Sequence, residues 1–155
     1  METQLRKIEV VPLTEESLDW FVNVAAVNML KDEVKRPELI NLGALQALAE
    51  RGMSEGTAFV AMSSEVPVGA LGGLLVNNIY NPDILTLCEM FWYVVPEYRN
   101  TRAGALLFKA FDEKAAWCAD ESTLSILPSS IINIKTLEKR GFHLEELGFR
   151  KTYKV

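Results

Sequence analysis

The sequence predicts a mixed α/β domain of the α+β kind, with strands and helices in the order β-α-α-β-β-β-α-β-α-β-β. Two observations predict it. Apolar residues alternate with period two in some stretches and recur at helical spacing in others, so both element types are written into the chain. Proline, glycine or asparagine stands at most changeovers, where it stops one element and lets the chain turn. With 155 residues, 49% of them hydrophobic and 24% charged, the composition is that of a globular domain able to bury a core. No repeat, low-complexity tract or linker interrupts it, so residues 1–155 read as one domain.

Leu5 to Val11 alternates and is stopped by Pro12, which gives a first strand. Thr14 offers an N-cap, and Glu15 and Glu16 set negative charge against the positive end of the helix dipole. Leu18, Phe21, Val22, Ala25 and Met29 mark a first amphipathic helix, followed by a polar link from Lys31 to Arg36. After Pro37, Leu42, Leu45 and Ala49 mark a second helix that stops near Gly52. Thr57 to Met62 and Val66 to Val76 form a β-hairpin about Ser63-Ser64-Glu65, with Gly69, Gly72 and Gly73 expected to disturb its second strand. Asn77-Asn78 and Asn81-Pro82-Asp83 frame a loop. Leu85 to Val95, rich in aromatic and β-branched residues, carries the strongest strand signal. A helix from about Arg102 to Cys118 presents Ala103, Leu106, Leu107, Ala110, Phe111 and Trp117 as its apolar face. Thr123 to Leu127 reads as a short strand, and Ile132 to Arg140 as a helix closed by Gly141. Phe142 to Glu145 and Leu147 to Tyr153 read as two closing strands, for a sheet of about seven strands and about four helices.

Charge and composition narrow the function. A formal charge of −5 argues against general nucleic-acid binding, which needs a basic face. Cys88 and Cys118 are too few for a disulfide framework and sit among apolar neighbours, as small buried hydrophobes of a reducing compartment do. One histidine and two distant cysteines give no metal-ligand spacing, so no metal is expected. Residues 1–9 hold no apolar leader core, and no apolar run approaches membrane-spanning length. The expectation is a soluble cytoplasmic protein with no membrane partner, and homodimerisation is left open.

The chemistry concentrates in Val94-Val95-Pro96-Glu97-Tyr98-Arg99-Asn100-Thr101-Arg102-Ala103-Gly104-Ala105. An apolar strand enters a proline-marked turn, and the turn enters a long helix. Turn amides and a helix N-terminus direct positive partial charge at an anion, small residues let it approach, and Arg99 and Arg102 add charge-assisted contacts. The plain alternative is an ordinary strand-turn-helix with surface arginines.

This segment resembles the pyrophosphate loop of the GNAT N-acetyltransferase superfamily, Arg/Gln-x-x-Gly-x-Gly/Ala after a Val-x-Pro strand end, and the element order is similar nearly end to end. Arg102 stands where the first glycine is usual, a variant similar to short GNAT proteins of phage and prophage genomes. The resemblance implies acetyl-CoA as co-substrate, held by Tyr93, Val94, Val95, Arg99, Asn100, Thr101, Arg102, Ala103, Gly104 and Ala105. It implies that the strand before the loop splays from its parallel neighbour, and that the amides of Tyr93, Val94 and Val95 meet the pantetheine. Asn133, on the last helix, is a further cofactor contact or simply a cap. Leu137 replaces the tyrosine that commonly protonates the departing thiolate.

Acetyl transfer also needs a base for the ammonium and an acceptor site. Glu89 is the only acid inside the strong strand, and period-two alternation puts Leu87, Glu89, Phe91, Tyr93 and Val95 on one face. It reads as the general base or as a strand carboxylate paired with a cation. Tyr93 reads as an acid, a pocket wall or core. Glu33, similar to an acidic position of the phage-type subgroup, would hold a cationic amine or be a solvated charge, and Tyr80 would wall the pocket. The resulting expectation is an N-acetyltransferase for a small-molecule or peptide amine. The alternative is a non-catalytic acyl-CoA-binding regulatory or virion-associated module on the same fold.

Overall fold

The computed structural model describes residues 7–128, 130 and 132–154. Five strands form one sheet in the spatial order β1 (Ile8–Pro12), β2 (Ala58–Ser63), β3 (Val66–Asn77), β4 (Leu85–Val94) and β5 (Glu121–Thr123). The first four pair antiparallel, and β5 runs parallel to β4. The helices α1 (Glu15–Trp20), α2 (Leu42–Glu55) and α3 (Ala103–Cys118) belong to the same compact unit, which ends at Ser125. A second unit begins at Ile126 and holds α4 (Ile134–Lys139).

Five strands rather than seven are present among the described residues, because Phe142–Glu145 and Leu147–Tyr153 are irregular. Alternation alone makes no strand: the backbone needs a ladder partner and the apolar face needs cover. Here Leu144, Leu147, Phe149 and Tyr153 are all exposed. The fifth strand also starts earlier than Thr123. Asp120 Oδ2 accepts from Leu85 N–H and Glu121 Oε1 accepts from Thr86 Oγ1, both at 2.8 Å, and this fixes the register at Glu121.

The first helix does not fray at Met29. From Trp20 its hydrogen bonding widens into two π-helical stretches, Phe21–Ala26 and Met29–Glu33, so Lys31, Asp32 and Glu33 lie on the helix rather than in a link. No proline or glycine intervenes before Pro37, and Val34 N–H closes the last π turn on Met29 O at 2.9 Å. Likewise α2 runs through Gly52 and ends at Gly56, whose φ of +69° only glycine adopts without strain. Gly52 instead lets the helix approach the sheet: a Cβ there would sit 3.1 Å from that of Ala58.

Each face of the sheet is packed. Phe21, Val22, Ala25 and Ala26 of the first helix and Ala49 of α2 meet Val60, Ala70, Phe91 and Tyr93 on one side. Ala103, Leu107, Phe111 and Ala115 of α3 meet Ala61, Val68, Leu71 and Leu87 on the other. Leu87 and Phe91 therefore face opposite ways, against the single shared face that alternation predicts. The cause is a bulge: Gly72 pairs with Phe91 and Gly73 with Glu89, which leaves Met90 as an extra residue in β4. The glycines expected to disturb β3 allow it instead. A Cβ on Gly72 would lie 2.8 Å from Met90 Cε, and one on Gly73 would lie 3.1 Å from both Leu87 Cδ1 and Phe111 Cε2.

Candidate active site

Strand β4 organises the site. On one side it pairs with β3 along almost its whole length, to Gly69↔Val94, and Val95 N–H adds a bond to Val68 O at 2.9 Å. On the other side, pairing with β5 ends at Cys88↔Thr123. Ladder pairing with the parallel neighbour thus stops just before Glu89, where the resemblance implies a splay. In an antiparallel ladder the N–H and C=O of alternate residues point to alternate sides. Val95 is turned towards β3, so Tyr93 is too, and Val94 presents its polar groups to the open edge. Of the three amides expected to meet a ligand, Val94 alone is placed to do so; Val95 has spent its donor on Val68.

The strand leads through a short 3-10 turn, Pro96–Tyr98, to α3. Thr101 Oγ1 donates to Tyr98 O at 2.5 Å and accepts from Ala103 N–H at 3.2 Å, which braces the turn and satisfies one first-turn donor. Arg102, at the N-cap position, makes no capping bond through its side chain. The first in-helix bond is Leu106 N–H to Arg102 O at 2.9 Å, so the N–H groups of Gly104 and Ala105 have no carbonyl in α3 to meet. Both point positive partial charge out of the helix. A Cβ on Gly104 would meet Trp92 Nε1 and Val94 Cγ2 at an ordinary 3.8 Å, so the protein's own packing does not demand glycine there. Asn100 and Arg102 have exposed side chains.

Glu89 lies at the start of the open edge, half-buried, next to the bulge. Its Oε2 accepts a long bond, 3.5 Å, from Ser125 N–H. Burial raises its carboxyl pKa to about 7, and the Ser125 amide opposes this only in part. The sequence reveals neither the Ser125 contact nor the Met90 bulge, although the Gly72-Gly73 pair is the signal from which the bulge is readable.

Arg99 and Glu33, assigned to cofactor and acceptor respectively, are in contact. Arg99 Nη2 lies 2.7 Å from Glu33 Oε1, Arg99 Nε donates to Val94 O at 2.9 Å, and the guanidinium lies 5.7 Å from the centre of the Tyr93 ring. Burial raises the Glu33 pKa, Arg99 opposes the rise, and Asp32 adds to it. Glu33 is thus partly buried and ion-paired rather than free, and Arg99 ties the end of the first helix to the end of β4. Tyr93 is buried in the core beneath Arg99. Tyr80 is not brought to this site: it is 91% exposed on the loop that precedes the other end of β4. Asn133 caps α4, its Oδ1 accepting from Lys135 N–H at 2.8 Å. Leu137 is buried in α4, and Gly141, at φ +89°, closes that helix. Among the described residues no group of three or more side chains is placed to hold a metal, and no helix is long and apolar enough to cross a membrane.

No protein-family model and no curated protein sequence matches the chain. Solved structures do. An aminoglycoside acetyltransferase from an uncultured soil metagenomic sample is 16% identical, with a TM-score of 0.68 over 96% of each chain. AAC(6')-Iy, bound to the bisubstrate analogue CoA-S-monomethyl-acetylneamine, is 14% identical with a TM-score of 0.68, over 96% of this chain and 99% of the other. Arabidopsis thaliana Naa50, bound to the bisubstrate analogue CoA-Ac-MVNAL, is 16% identical with a TM-score of 0.65, over 90% of this chain and 85% of the other. The chain has the GNAT fold that these acetyltransferases share, and at such identities the likeness speaks for the fold alone.

Proposed function

We propose that the protein is an acetyl-CoA-dependent N-acetyltransferase that acts on a primary amine by direct attack within a ternary complex. One arrangement carries the reading: a half-buried carboxylate, a strand edge with no ladder partner among the described residues and a helix N-terminus whose Gly104 and Ala105 N–H groups have no carbonyl within α3 follow one another along β4 and the turn after it. The same fold in proteins solved with CoA-containing analogues supports it. The Arg-x-x-Arg-Ala-Gly form of the loop keeps the short phage-type subgroup as the finer reading.

The residues present fit the co-substrate. Gly104 and Ala105 N–H, with Arg102 and Asn100 beside them, are donors for a diphosphate. Bound acetyl-CoA supplies an acetyl thioester open to attack by an amine. Val94 N–H is the free donor at the open edge, suited to the pantetheine or the thioester oxygen. Glu89, with a pKa of about 7, is half ionised near neutrality and takes the proton that the ammonium must lose. With Leu137 unable to serve as an acid and Tyr93 buried in the core, water is the proposed donor to the departing thiolate.

The test is thiol release from acetyl-CoA with a panel of amines, comparing wild type with Glu89→Gln. Amine-dependent release that Glu89→Gln abolishes is the expected result. Leu137 favours a second reading, the non-catalytic acyl-CoA-binding module, and tight binding of acetyl-CoA without release on any amine would establish it instead. Unchanged CoA affinity in an Arg99→Ala, Gly104→Glu double variant would remove the site assignment from both.

A further inference from the structure

Beyond α4 the chain presents apolar side chains to solvent. Every residue from 143 to 154 is exposed, and neither helix nor turn interrupts the backbone from 142 to 154. Leu147 is 72% exposed, Phe149 95% and Tyr153 81%, which is where large apolar groups point to a partner. Lys151 Nζ lies 5.1 Å from the centre of the Tyr153 ring, a contact between residues i and i+2 that extended backbone brings to one side. The segment has the side-chain pattern of a strand and lacks only a ladder partner.

The partner it fits is itself. Run antiparallel against a second copy with Gly148 opposite Gly148, the segment sets Leu147 against Phe149, Glu146 against Arg150 and Glu145 against Lys151. Residues directly opposite in an antiparallel pair share a face. Leu147 and Phe149 of both copies therefore meet as one apolar cluster over the two-fold axis, flanked on the same face by Glu145 and Lys151. Slipping the register by one residue keeps only one of the two kinds of ion pair, and slipping it by two keeps neither. Among the described residues none of these four charged side chains is in an ion pair within the chain.

One chain folded back on itself cannot make the same pairs. Leu147 and Phe149 flank the single residue Gly148, and a hairpin needs at least two residues in its loop. A two-fold axis removes that restriction, because each half of the segment meets the other half of its copy and every pair occurs twice.

We propose that residues 142–154 of two copies of this chain pair antiparallel about Gly148 and join the protein into a two-fold symmetric dimer. The pairing does not rest on the acetyltransferase reading. Sedimentation velocity of the full chain across the micromolar range tests it, with two charge-reversed variants, Glu145→Lys with Glu146→Lys and Arg150→Glu with Lys151→Glu. Wild type is expected to dimerise. Each variant, with like charges opposed, should associate roughly tenfold more weakly or worse. An equimolar mixture of the two, one of them labelled, should recover wild-type association as a heterodimer, because every reversed charge then meets its opposite. Phe149→Ser, which alters a side chain almost wholly exposed in one copy, should also weaken the dimer without touching the fold. A wild type that stays monomeric overturns the proposal, as does a dimer that survives the charge reversals or Phe149→Ser. A mixture that fails to associate overturns it too, since the charges would then act within one chain.

Discussion

Glu89→Gln should stabilise the protein while abolishing its proposed activity, and the two effects share one cause. In the fold the carboxyl titrates at about 7, against 4.5 without its surroundings, because burial disfavours the anion. A raised folded pKa means that the native state binds the proton more tightly than the unfolded chain. Stability is therefore full below about pH 4.5, falls as the pH rises, and levels off above about 7. At about 1.4 kcal/mol per tenfold change in proton affinity, this loss amounts to roughly 3 kcal/mol, less whatever water reaching a half-buried group recovers. Glutamine keeps an oxygen for Ser125 N–H and carries no charge. The difference in unfolding free energy between variant and wild type should thus be near zero at pH 4.5 and grow to roughly 1–3 kcal/mol in favour of the variant by pH 8. Urea denaturation of both proteins across that range measures it, and all other titrating groups cancel in the difference. A difference that stays flat with pH would show that Glu89 has an ordinary proton affinity and would refute its assignment as a base poised near neutrality.

Other consequences follow from particular contacts. Gly104→Ala should leave the fold intact or gain up to about 1 kcal/mol of helix stability, since the added methyl meets only ordinary contacts with Trp92 and Val94, and, with the N–H kept, should leave CoA binding measured by calorimetry unchanged. A marked fall in affinity would mean that the methyl meets the ligand rather than Trp92 and Val94. Gly73→Ala should cost about 1–3 kcal/mol in thermal or chemical denaturation, because its Cβ would lie 3.2 Å from the backbone oxygen of Thr57 as well as against Leu87 and Phe111. Glu33→Gln removes a partner that competes for Arg99; for a pair worth about 0.5–1 kcal/mol, CoA affinity should rise about two- to fivefold if Arg99 contacts the diphosphate. A fall in affinity would mean that Arg99 acts by holding β4 to the first helix.

The strand-turn-helix junction was legible because each of its parts is local. Val94 ends a strand on its own alternation, Pro96 fixes a turn, and Ala103 to Ala105 are small enough to expose amides at a helix start. What the sequence withheld depends on partners far along the chain. A one-residue bulge reverses every side chain beyond it, so Leu87 and Phe91, alike by alternation, pack on opposite faces. Glu33 and Arg99 lie 66 residues apart, and no spacing rule foretells that they pair. The closing strands failed for the opposite reason. Their alternation is local and clear, but a strand exists only with a ladder partner, and none is formed along Phe142–Glu145 or Leu147–Tyr153 among the described residues.

The bulge at Met90 explains why the proposed chemistry sits at mid-strand rather than at a loop. Below it, β4 is paired on both sides and Leu87 is locked against α3. Above it, one edge is open, and Phe91 and Tyr93 face the first helix. Glu89 stands at the changeover, where the strand has lost its parallel partner but is still half-buried. A carboxylate two residues earlier would be enclosed by ladder on both sides. One placed in the loop would be solvated and titrate at its ordinary value. Only where the parallel ladder stops do burial sufficient to raise the proton affinity and an edge open to a substrate coincide. Moving the acid, as in Glu89→Gln combined with Phe91→Glu, should therefore not restore activity, because position 91 faces the core beside Phe21.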